Sequence, residues 1–255
     1  MPPFLELVAF RIMAISLRVG GLMSFAPFLG NTAIPVRMKA VFTLAITALL
    51  YPFCPVPQPV LTIAGLSRVA LGEVVLGLGI GLCLQFIFEG AVMAGQIGGF
   101  QFGFSLVNII DPNTNVDTPV LSVFHQLFAL LLFLQFDVHQ WILRGIVKSF
   151  EYVPVGTVIF RMATLRELFR DAGGLWLVGV QIATPILLST ILIDVAAGFL
   201  SKASPQMPAI LLSIPVKSLL GYAILAMVVG LWPVFFERQF LISLGWSERL
   251  LHLAH

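Results

Sequence analysis

Four ionisable residues stand inside long apolar stretches of this chain: Glu73, Glu89, Asp194 and Lys217. A charge at such a position is costly unless it has a task or a partner. Two kinds of chemistry suit these residues. They could bind ions or relay protons, as carboxylates do in a transporter, or they could pair with one another between helices. Internal pairing is the commoner outcome, and it suits Asp194 and Lys217. Asp194 lies ten residues before Ser204, the centre of the turn SKASPQMP, and Lys217 lies thirteen after it. In a helical hairpin that offset of three residues is about 4.5 Å along the axis, within reach of a lysine side chain.

His125 and His139 are isolated, with no second ligand at helical spacing. The chain has no HExxH, no GxSxG and no glycine–lysine phosphate loop. The glycines of Gly77-Leu78-Gly79-Ile80-Gly81 follow no strand, so they are not a nucleotide fingerprint. They include a GxxxG, a helix-packing pattern in apolar surroundings. No catalytic constellation is evident, and no metal or cofactor is expected.

The elements that would carry these residues belong to a membrane protein. Of 255 residues, 59% are hydrophobic and 10% charged, far below the roughly 25% of a soluble domain. The net charge of +2 gives no reason to expect nucleic acid as a partner. Cys54 and Cys83 make no disulfide framework and read as apolar packing residues. No cleavable signal peptide is evident, because Arg11 and Arg18 interrupt the first apolar run.

About six hydrophobic helical segments are expected, so the fold class is all-α and integral to the membrane. The first run, Phe4 to Phe28, carries Arg11 and Arg18 on one helical face, which should meet protein or headgroups. The second, Ala40 to Phe53, is short for a span. PFCPVPQP then forms a stiff connector. The third run, from Leu61, is too long for one straight span, and Asp137-Val138-His139 interrupts the fourth. Residues 151–172 are the most polar piece and read as a short amphipathic helix beside the membrane. A fifth run follows, Leu175 to Leu200, with Pro185 as a kink, and a sixth, Ala209 to Phe236. The tail from Glu237 reads as amphipathic and surface-lying. With six spans, the basic residues divide three against eight, which puts both termini in the cytoplasm.

One stretch changes character midway. Ala91, Gly95, Gly99 and Gly103 place a small residue at every fourth position, a stripe suited to close helix packing. An apolar approach containing Phe102, Phe104, Val107, Ile109 and Ile110 follows, and then the turn formers Asn108, Asp111, Pro112 and Asn113. The residues admit two readings: a surface loop between membrane helices, or a loop held at membrane depth where it lines a cavity.

Taken in order, these features resemble the FliR family of flagellar biosynthesis proteins and the related SctT family of injectisomes. The resemblance runs from about Arg11 to Pro233. It rests on Arg18, Pro27, Pro35 and Arg37; on Glu73 with Gly77 and Gly81; on Gly95, Gly99, Gly103 and Asp111-Pro112; on Asp137-Val138-His139, Ser149-Phe150 and Pro154; and on Pro205-Gln206 with Pro215-Val216-Lys217. Met207-Pro208 stands where the family has Leu-Asn. The resemblance implies a non-catalytic subunit of a type III protein export gate in the flagellar basal body of the bacterial inner membrane, with an injectisome gate subunit of the SctT kind as the alternative. It also implies kinked hairpins packed in a helical assembly with FliP-like and FliQ-like subunits. FlhB-like and FlhA-like export components would be further partners, and exported flagellar proteins the cargo. On the same ground, residues 1–150 should be a FliP-like part with its central loop at 100–119, and residues 151–255 a FliQ-like C-terminal hairpin. Phe102, Phe104, Ser105, Asn108, Ile109, Ile110, Asp111, Pro112 and Asn113 would form the loop that plugs the pore. The competing class is a small secondary transporter using Glu73, Glu89 and Asp194, although the sequence shows no inverted repeat.

Overall fold

A computed structural model describes residues 3–27, 34–54, 62–103, 120–158, 162–204 and 209–254. The described residues are helical, with no strand among them. The helices are α1 (Pro3–Phe25), α2 (Val36–Leu50), α3 (Ile63–Gln101), α4 (Val120–Gln135), α5 (Val138–Tyr152), α6 (Met162–Ala203), α7 (Ala209–Val228) and α8 (Trp232–Leu253). A 3-10 turn, Val229–Leu231, joins the last two.

The third run, expected to be too long for one straight span, forms one continuous helix of 39 residues, α3. Glycine in apolar surroundings does not stop a helix when neighbouring helices fill the space beside it. Residues 151–172 are not a separate amphipathic helix. The chain leaves α5 after Tyr152, and from Met162 onward the polar residues form the first turns of α6, a 42-residue helix that continues through Pro185. The C-terminal tail does not lie at a surface throughout, since Leu250 and Leu251 of α8 are buried.

Six spans were expected. Among the described residues four helical stretches are long and apolar enough to cross a membrane, or five if α4 and α5 count as one broken span. The difference arises because α2 has only 15 residues, and because a break splits the fourth run into α4 and α5, each short for a span by itself. Asp137 makes the break between α4 and α5. It adopts left-handed backbone angles (φ 54°), which Asp tolerates better than most residues, and Gln140 Nε2 donates to its carboxylate at 2.8 Å.

The helices pack as two compact units. The first comprises Met1–Phe86, Phe133–Gly173 and Phe240–His255. Its core follows from spacing: Ala14, Ile15, Arg18, Val19 and Leu22 recur every three or four residues and bury one face of α1. Gly77 and Gly81 of α3 meet that face. A Cβ on Gly77 would overlap the Arg18 carbonyl, and one on Gly81 would lie 2.8 Å from the Leu22 carbonyl oxygen. Gly21 answers from α1, 2.5 Å by the same measure from the carbonyl oxygen of Val74. Glycines on both helices therefore allow backbone-to-backbone contact. The second unit comprises Ile87–Leu132 and Gly174–Gln239. Here Gly90 of α3 and Gly179 of α6 face each other, and Gly95 lies against the backbone of Leu121 and Ser122 in α4.

Candidate functional site

The most enclosed polar cluster lies in the first unit, around Arg18 (1% exposed) and Glu73 (0% exposed). Arg18 Nε donates to Glu73 Oε2 at 2.6 Å, Nη1 to Ser149 Oγ at 3.1 Å and Nη2 to the Val153 carbonyl at 2.9 Å. The guanidinium lies 3.9 Å from the centroid of the Phe150 ring. Glu73 Oε1 accepts the Gly156 N–H at 3.2 Å, and Ser149 Oγ donates to the Ile146 carbonyl at 2.7 Å. Both oxygens of the carboxylate and all three nitrogens of the guanidinium are engaged, as a buried charge pair requires. The segment after α5 reaches this cluster because Gly156 adopts φ 82°, a conformation glycine takes without strain. Sequence reasoning marked Glu73 and placed Arg18 on a helical face meeting protein or headgroups, without joining the two. At the rim of the same unit, Arg11 Nε donates to the Cys54 carbonyl at 3.0 Å and its guanidinium covers the Tyr51 ring. Burial pushes the Cys54 thiol above its ordinary pKa, against the lowering influence of Arg18 and Arg11.

Asp194 and Lys217 form an ion pair between α6 and α7, the partnership that their offsets from the turn predict. Lys217 is 15% exposed and Asp194 49%, so this pair is far less enclosed than the first. Glu89 lies on an exposed part of α3. A further buried charge was missed: Asp171, near the start of α6, with its carboxylate 3.8 Å from Arg249. It sits in the polar stretch that read as surface, so no sequence signal set it apart.

The root of the candidate pore loop lies in the second unit. Phe102 is buried, and its ring occupies the space that a side chain on Gly221 would need. Tyr222 lies 4.9 Å away, centroid to centroid, and Ser218 Oγ donates to the Phe102 carbonyl at 2.7 Å. Gly103 follows with φ 84° and its N–H on the Phe100 carbonyl. It therefore terminates α3 instead of extending the packing stripe, since a left-handed residue cannot continue a right-handed helix. Of the other stripe members, Gly95 makes the α4 contact described above and Gly99 is buried. Gly98, one residue off the stripe, packs on Leu121 and Ile186. Phe104, Ser105, Asn108, Ile109, Ile110, Asp111, Pro112 and Asn113 lie outside the described residues. The chain resumes at Val120, and Leu121 and Ser122 pack against Gly95 and Gly98. Gly103 and Leu121, the one at the end of α3 and the other packed on its last turns, thus lie on either side of residues 104–119 in the chain.

The histidines do not converge. His125 is buried against Trp232 with Nδ1 on the Leu121 carbonyl at 2.7 Å, and His139 Nε2 lies 3.8 Å from Asp137. Among the described residues no three His, Cys, Asp or Glu side chains gather as a metal site.

Apolar helices long enough to span a bilayer, glycine-lined crossings and ion-paired intramembrane charges define an all-α integral membrane protein. Residues 9–242 match the family described as "Bacterial export proteins, family 1", and the chain belongs to it. It is 29% identical over 225 residues to "Flagellar biosynthetic protein FliR" of Escherichia coli (strain K12), which covers 88% of this chain and 86% of that protein. It is 29% identical over 224 residues to the protein of that name from Pectobacterium carotovorum subsp. carotovorum, covering 88% and 85%. The Bacillus subtilis (strain 168) protein of that name is 22% identical over 245 residues, 95% of each chain.

Proposed function

We propose that this chain is a non-catalytic subunit of the flagellar type III protein export gate. Its place is the bacterial inner membrane, at the flagellar basal body. It assembles there with FliP-like and FliQ-like subunits, next to FlhB-like and FlhA-like components, and helps form the channel for unfolded flagellar proteins. In this reading residues 1–150 play the FliP-like part and 151–255 the FliQ-like hairpin. The observation that carries the reading is the family match over residues 9–242, supported by the FliR names of relatives aligned along most of their length. Phe102 to Asn113 is the plug, and the support is the packing of Phe102 on Ser218, Gly221 and Tyr222 at the root of that segment. The charges fit a structural part better than an ion pathway, since Glu73 and Asp194 each have a cationic partner.

The test is co-expression with FliP-like and FliQ-like subunits from the same genome, followed by purification through a tag on this chain alone. A stable complex of all three is the expected result. A solitary chain that moves ions or small solutes across vesicles would favour the transporter class and overturn the proposal.

A further inference from the structure

The first unit contains a cavity of about 370 Å³ that the export reading does not use. Its floor is apolar, built by Ile80 and Leu84 of α3, Ile142 of α5 and Leu251 of α8. Its rim is cationic. Arg144 and Lys148 stand one turn apart on α5, both exposed, and neither has an ion-pair partner among the described residues. Trp141 continues the rim on the same helix, and Glu248 lines the cavity from α8. Two lining positions are glycines, Gly145 and Gly245, and a Cβ on either would meet nothing within 4 Å. The missing side chains deepen the groove.

We infer that this groove binds an anionic phospholipid, its phosphate held by Arg144 and Lys148 and an acyl chain laid along Leu241 and Leu244, the accessible apolar residues of the lining. The charge pattern selects this occupant. Cations one helical turn apart are about 6 Å from each other and can close on a single phosphate, with the arginine fork supplying paired donors. An apolar floor directly below a cationic rim matches an amphiphile whose charge and hydrocarbon are joined end to end. Tryptophan, arginine and lysine together are the residues that settle at headgroup level, and basic pockets between membrane helices select anionic lipid heads. The single carboxylate, Glu248, leaves the lining with an excess of one positive charge.

The test uses the complex purified with its partner subunits. It is stripped of lipid in neutral detergent and then offered phosphatidylglycerol or phosphatidylcholine micelles, and bound lipid is read by native mass spectrometry. Wild type is expected to keep one phosphatidylglycerol under conditions that remove phosphatidylcholine. Arg144→Gln with Lys148→Gln should lower that retention at least tenfold, while Arg238→Gln on the exposed part of α8 should leave it unchanged. Equal retention of the two lipids, or undiminished phosphatidylglycerol in the double variant, overturns the inference. A double variant that sheds a partner subunit yet keeps its phosphatidylglycerol also overturns it, and identifies the rim as a protein interface. If the charge variants fail to assemble, Gly145→Leu fills the groove from a position with open space. It should abolish retention with both cations in place, and persistence of the lipid would overturn the inference.

Discussion

Two ion pairs in this protein differ in how completely they are enclosed, and enclosure sets what their loss should cost. Arg18 and Glu73 are shut away from solvent, so Arg18→Met leaves an uncompensated buried carboxylate at a cost of about 3–5 kcal/mol. Loss of most assembled protein is expected, measured as complex yield and melting temperature. Adding Glu73→Leu should restore only part of it. The buried Val153 carbonyl would still lack its partner, at roughly 1–3 kcal/mol. Lys217→Met should cost less because Asp194 is half exposed, and Lys217→Met with Asp194→Leu should return close to wild-type yield. If either rescue pattern is reversed, the ranking by enclosure is wrong. The Asp194–Lys217 partnership is legible in the sequence because both residues can be counted from one turn. The Arg18–Glu73 partnership is not, because the two stand 55 positions apart and share no turn.

At the level of the helix, glycine decides which crossings can form. Gly77→Ala adds a methyl where the Arg18 carbonyl already sits, so α1 must shift away from α3. Because this contact is backbone on backbone, even alanine should lower complex yield severely. Gly198→Ala, at a position with open space, should be neutral or stabilising by up to about 1 kcal/mol, the usual helix preference for alanine. Equal yields from Gly77→Ala and Gly198→Ala in the same preparation would remove the basis for this distinction. The i, i+4 glycine spacing is readable in one dimension, which is why Gly77, Gly81 and Gly95 could be named. Gly21 and Gly179 carry no such spacing and are identified only by what they face. Element boundaries were harder. Hydropathy marks the environment of a segment and not the continuity of its hydrogen bonds, so the polar start of α6 looked like a helix of its own.

For the molecule as a whole, the membrane class is written in composition, but the grouping of helices is not. Each compact unit draws on separated stretches of chain, and α3, α4, α6 and α8 each contribute to both units, so no boundary in the sequence corresponds to either. The functional prediction at this scale concerns the segment rooted at Phe102. An apolar constriction excludes ions by dewetting and needs no charge. Removing Val107 to Asn113 should leave the root on Ser218, Gly221 and Tyr222 intact, and so give an assembled but leaky complex. Membrane conductance, or small-solute entry into cells carrying the deleted form with its partners, measures the leak. A deleted complex that assembles and stays as tight as wild type would show that the segment is not the plug. Phe102→Ala should give a milder leak, because it loosens the root and leaves the rest of the plug, including Val107 to Asn113, in place.

The distances along the chain within the Arg18 cluster bear on how the protein is made. Glu73 lies 55 residues after Arg18, and Ser149 and Val153 lie 131 and 135 residues after it. At bacterial elongation rates, α1 waits roughly 3–11 s for its carboxylate and about 7–26 s for the first residue that completes the arginine's hydrogen bonds. During that interval an unpartnered guanidinium opposes release of α1 into lipid. Emergence of α3 from the insertion machinery is therefore the event expected to let the first helix settle, and a chain truncated before Glu73 should leave α1 more easily extracted from membranes than one truncated after α3.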